Sequence, residues 1–124
     1  MTLEDDALAF AAAAIGSVWA LEVLLFLKRG GHQCWRSAEL IRELRSSETA
    51  IADALAKLRA AGLVDVPADG RWQYRPVSGQ LGQVVAVLET LYQAKPASVI
   101  RALVAAPDSK LRLLSDAFRI KDKE

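Results

Sequence analysis

The chain has one cysteine and one histidine among its 124 residues. A single cysteine, Cys34, rules out an internal disulfide, so a reducing compartment, the cytoplasm, is the simpler expectation. His32 alone leaves almost no material for a histidine-based metal site or for imidazole acid–base chemistry. No Gly-rich phosphate loop and no nucleophile elbow occurs, which removes the common nucleotide-binding and hydrolase signatures. The sequence therefore predicts no enzyme activity, no cofactor and no metal. Prolines number four and glycines seven, too few for a low-complexity or disordered chain. Apolar residues make up 52% and charged residues 25%, as in an ordinary folded domain of this length.

Strong net charge is also missing, since the formal total is +1. Its distribution is uneven. Residues 1–27 hold four acids (Glu4, Asp5, Asp6, Glu22) and no base. Residues 28–75 hold nine bases against six acids, and residues 76–124 hold seven against five. The middle segment is mildly basic, which suits a phosphate-facing surface without requiring one.

One long apolar run is present. From Ala7 to Leu27 the only charge is Glu22, a length close to a bilayer span. Acids rather than bases precede it, and Gly16-Ser17 interrupts it, so buried core helices are expected and not a membrane segment or signal peptide.

Helix signals recur along the chain. Thr2 or the acids at 4–6 cap a helix running to about Ile15, and Ser17 caps a second that ends at Lys28-Arg29 before Gly30-Gly31. "HQCWR" reads as a short extended piece. Ser37 is placed as the cap of "AELIRELR", and Ser46-Ser47 supplies the next cap. The helix from about Ser47 to Ala61 carries Ile51, Leu55 and Leu58 on one face, and Gly62 stops it. Val64–Pro67 and Arg71–Pro76 read as two strands around "ADG", where Asp69-Gly70 is a hairpin turn signal. Trp72 and Tyr74 share a face of the second strand and are placed against the core. Ser78 caps a helix to about Ala94. "ASVIRALVAA" and "SKLRLLSDAFRI" are two further helices on either side of Pro107-Asp108.

The stretch "SAELIRELRSSETAIADALAKLRAAGLVDVPADGRWQYRPVS", Ser37 to Ser78, resembles the winged helix-turn-helix of MarR-like and ArsR-like bacterial transcription regulators. "AELIREL" looks like the first helix of the motif, "SSETAIADALAKLRAAGLV" like the recognition helix, and "DVPADGRWQYRPVS" like the wing. The resemblance implies a mainly α fold with a small β-hairpin wing. It implies one domain over 1–124, with a winged core at 17–78 and extra helices at 1–16 and 79–119 that build a homodimer. It also implies a transcription regulator that binds double-stranded DNA, with the 47–61 helix in the major groove.

Within that frame the free face of the helix offers Ser46, Ser47, Glu48, Thr49, Ala52, Asp53, Ala56 and Lys57. Serine hydroxyls and helix N-terminal amides suit phosphate oxygens. Thr49, Ala52 and Ala56 suit thymine methyls, and Glu48 or Asp53 can accept from cytosine N4. Arg71 sits at the wing tip, and Arg36, Arg42, Arg45 and Arg75 are candidate phosphate contacts. Arg42 and Arg45 suit ordinary surface ion pairs with Glu39 and Glu43 equally well. Glu48 and Asp53 repel phosphate by on the order of 1 kcal/mol each near a surface. That repulsion opens a second expectation, a protein-interaction adaptor whose partner docks on this small, acidic face.

Overall fold

The structure, a computed structural model, describes residues 3–31, 33–66 and 70–104. It is mainly helical with one two-stranded antiparallel sheet. Six helices appear among these residues. They are α1 (Leu3–Phe10), α2 (Val18–Arg29), α3 (Ser37–Glu43), α4 (Glu48–Ala60), α5 (Gly79–Ala94) and α6 (96–104). The strands β1 (Val64–Asp65) and β2 (Gln73–Tyr74) lie between α4 and α5. The expected helix over 109–120, the Thr2 cap, His32 and the Asp69 turn residue fall outside the described residues.

Local chemistry explains most boundaries. α1 continues through Ala11–Ile15 as a wider turn whose closing bond runs from Gly16 N to Ala11 O at 2.9 Å. Gly16 has φ +73°, a left-handed conformation in which glycine carries no Cβ penalty. Ser17 Oγ then accepts from Ala20 N at 3.0 Å and starts α2. The two helical segments meet at 108°, and no single helix among the described residues is long and apolar enough to cross a membrane. Ser78 Oγ caps α5 in the same way, accepting from Leu81 N at 3.1 Å.

The expected cap of α3 needs correction. Arg36, not Ser37, is the residue before the helix, and Ser37 is its first residue. The carboxylate of Glu39 reaches back to accept from Arg36 N at 2.8 Å. That bond satisfies the amide of the N-cap residue, the part that an acidic residue at the third helical position plays in a capping box.

The sheet is shorter than expected. Val64 pairs with Tyr74 and Asp65 with Gln73, and the ladder then stops. Beyond it, Arg75 N bonds to Leu63 O in the same register and Val77 N to Gly62 O one residue out of it, both at 2.9 Å, so the strand's exit is tied to the residues that follow α4. A third extended piece joins through Trp35, whose N–H and C=O pair with those of Trp72 at 2.8 and 2.6 Å. Trp35 also packs on Phe26 of α2, with ring centroids 5.0 Å apart. Trp72 and Tyr74 are half-buried against the core, on the face the alternation predicts.

One core unites these elements. Leu21, Leu24, Leu25 and Leu27 of α2 form its centre, with Leu40, Ile51, Leu55, Leu58, Leu63, Leu88 and Leu103 around them. α2 packs on α4, and α1 packs on α5. Two polar clasps fix α5 to α2. Glu89 takes Lys28 at 2.7 Å and Arg29 at 3.3 Å, and the Tyr92 hydroxyl donates to Glu22 at 2.5 Å. The Lys28 hydrogen bond does most to hold the Glu89 carboxyl below its ordinary range, against a smaller opposing effect of burial. The Glu22 hydrogen bond, with burial, pushes the Tyr92 phenol up to about 12.

Candidate nucleic-acid interface

The 13 residues of α4 divide between core and solvent, with Ala50 alone half-buried. Ile51, Ala54, Leu55 and Leu58 are at most 3% exposed, while Glu48, Thr49, Ala52, Asp53, Ala56, Lys57, Arg59 and Ala60 are exposed. This is the amphipathic stripe that the i, i+4, i+7 spacing predicts. Ser47 Oγ caps the helix by accepting from Ala50 N at 3.1 Å. Gly62, with φ +79°, ends it, and Leu63 N returns to Leu58 O at 3.0 Å. The helix is thus fixed at both ends and along its inner side, leaving its outer side clear.

The turn between α3 and α4 is tight. Arg45 adopts φ +53°, and Ser46 N bonds back to Ile41 O at 2.9 Å. An arginine in this left-handed conformation carries a penalty of roughly 1 kcal/mol that glycine would avoid. Arg45 is exposed and Ser46 is half-buried.

The basic candidates come from several segments of the chain. Arg36 precedes α3, Arg45 lies in the turn, and Arg71 and Arg75 flank β2; all four are exposed. The Lys57 side chain reaches towards Gly16, where an added Cβ would lie 4.0 Å from its Nζ. There it meets the C-terminal end of the first helix, where a positive charge is favoured. Arg42 and Arg45 form no ion pair among the described residues; the two pairs present are those of Glu89. Helix-surface pairing with Glu39 and Glu43 is therefore not what occupies these arginines.

Sequence reading missed Arg59 and Ala60. Arg59 lines a groove of about 470 Å³ together with Ser37, Ala52, Ala56, Ala60 and Trp72. The groove separates α4 from the hairpin, and alanine methyls and the indole make it largely apolar. Helical spacing could have found Ala60, which continues the Ala52, Ala56 row at i+4. Arg59 carried no such signal, because its importance comes from the hairpin folding beside it. No group of three or more metal-ligating side chains occurs among the described residues.

No protein-family model matches the chain, and no curated protein and no solved structure is significantly similar to it.

Proposed function

We propose that the chain is a winged helix-turn-helix transcription regulator that binds double-stranded DNA. The order helix, bridging residue, helix, tight turn, helix and hairpin supports this architecture. The observation that carries the function is the outer face of α4. It is exposed along its whole length beside an exposed hairpin arginine, on a helix whose inner face is anchored. Such a helix can enter a major groove without unfolding anything. Arg36, Arg45, Arg71 and Arg75 surround it and supply backbone attraction, while Ser46, Ser47, Glu48, Thr49, Ala52, Asp53 and Lys57 present the helix itself. A bacterial, cytoplasmic homodimer follows from the resemblance. Ile100 and Val104, 37% and 63% exposed on α6, support a partner surface in the flanking helices. Two recognition helices would then meet two half-sites one helical turn apart.

A fluorescence anisotropy titration with a mixed-sequence duplex at low salt tests the reading. Binding is expected, and Arg71→Ala combined with Lys57→Ala is expected to weaken it and flatten its salt dependence. Unchanged binding by the double variant would remove this mode of contact.

A second reading has one observation of its own. The groove between α4 and Trp72 is apolar, and Glu48 and Asp53 are the acids on the exposed face of α4. A winged helix used as a protein-interaction adaptor would use that groove. A folded protein that ignores duplex DNA at low salt favours the adaptor.

A further inference from the structure

Arg59, in the last turn of α4, and Arg75, just after β2, line one cleft of about 400 Å³ at the base of the hairpin. Fifteen residues of chain lie between them, so only the folded hairpin brings them together. The cleft walls are rigid backbone. Arg75 N and Val77 N are each bonded to main-chain carbonyls just after α4. Gly62 beneath them has φ +79°, and a Cβ there would meet Val77 Cγ2 at 3.0 Å.

Both arginines are exposed, and neither forms an ion pair among the described residues. Asp65 is the third charged residue of the cleft, and it too lies beyond ion-pair distance of either guanidinium. The cleft thus carries a formal charge of +1, with two planar donor forks uncommitted. Arg59 also borders the apolar groove beside Ala52 and Ala56. The cleft is therefore continuous with the exposed face of α4.

Resting on the DNA reading above, the geometry points to Arg59 and Arg75 as a two-guanidinium clamp on a single backbone phosphodiester at the C-terminal end of α4. The clamp fixes register and reads no base. It also offsets the repulsion from Glu48 at the other end of the helix and from Asp53 in its middle. Asp65 weakens the clamp by facing the same phosphate.

The test is an anisotropy titration of a labelled duplex between about 50 and 200 mM salt, with wild type, Arg59→Ala, Arg75→Ala, the double variant and Asp65→Asn. Each single alanine variant should bind about tenfold more weakly, as expected for a lost hydrogen bond to a charged group. Neither should change the slope of log K on log salt much, because the remaining arginine still neutralises the one phosphate. The double variant should be shallower by about 0.9, the loss of one neutralised phosphate. Asp65→Asn should bind more tightly. Arg59→Lys should recover part of the affinity that Arg59→Ala loses, because the charge returns without the fork. Thermal melts should match wild type throughout, since the replaced side chains are not in the core.

Unchanged binding by the single variants would overturn the clamp while leaving the DNA reading intact, and would leave the cleft to an acidic peptide. A double variant shallower by about 1.8 would also overturn it, assigning each arginine its own phosphate. Failure of wild type to bind any duplex at the lowest salt would end the DNA reading and the clamp together.

Discussion

Leu58 offers the sharpest test of how α4 is held. Its side chain has no exposed surface and packs inward with Ile51 and Leu55. Leu58→Ala removes apolar contact worth roughly 2 kcal/mol by transfer alone. The unfilled cavity adds to this, so a total near 3 kcal/mol is expected, within the range of about 2–5 for buried leucines. Against a domain stability of about 5–15 kcal/mol this is a large fraction. Unfolding entropy of about 2 cal/mol/K per residue converts it to a melting temperature about 10–15 °C lower. Ala56→Ser, on the exposed side of the same helix, should change stability by less than about 0.5 kcal/mol. Far-UV circular dichroism during thermal and urea unfolding measures both. A Leu58→Ala variant within 1 kcal/mol or so of wild type, or an Ala56→Ser variant just as unstable, would refute the assignment of inner and outer faces.

Three further outcomes follow from local features. Arg45→Gly should raise stability by about 0.5–1 kcal/mol in urea titrations, because glycine accepts the left-handed turn conformation; a loss would contradict the strain argument. Tyr92 has its folded pKa pushed up to about 12, above its unfolded value. Its stabilisation is therefore complete below pH 10 or so and is lost as pH climbs towards 12; Tyr92→Phe should remove that share of the alkaline decline. Tyr74, also raised, chiefly by burial, keeps a smaller share. Glu89 is shifted the other way, so its contribution is present at neutral pH and fades as pH falls through the acidic carboxylate range. Glu89→Gln should be about 1–2 kcal/mol less stable at neutral pH and should flatten the acid limb of the melting profile.

The sequence made α4 legible for clear reasons. Ser47, the Ile51, Leu55, Leu58 spacing and Gly62 each act locally, so cap, buried face and stop are visible in one dimension. Trp72 and Tyr74 were readable by alternation for the same reason. What escaped depends on other parts of the fold. At α3 the helix takes in Ser37 as its first residue, and Glu39 reaches back to the Arg36 amide. The last turn of the first helix widened inside a run of alanines that carries no signal except Gly16. The exit of the second strand is tied to the carbonyls of Leu63 and Gly62, a path that the alternation of Trp72 and Tyr74 does not signal. At the candidate interface, the exposed face of α4 could be listed residue by residue. The lean of Lys57 towards Gly16 and the meeting of Arg59 with Arg75 required three-dimensional packing, as did the clasps from Glu22 to Tyr92 and from Lys28 to Glu89.

The most direct measurement places a negative charge in the middle of the exposed face. Ala56→Glu should melt like wild type, yet bind a mixed-sequence duplex at low salt more than about tenfold more weakly, through repulsion and bulk at a groove-facing position. Equal duplex binding by Ala56→Glu and wild type would contradict the claim that this face of α4 meets DNA.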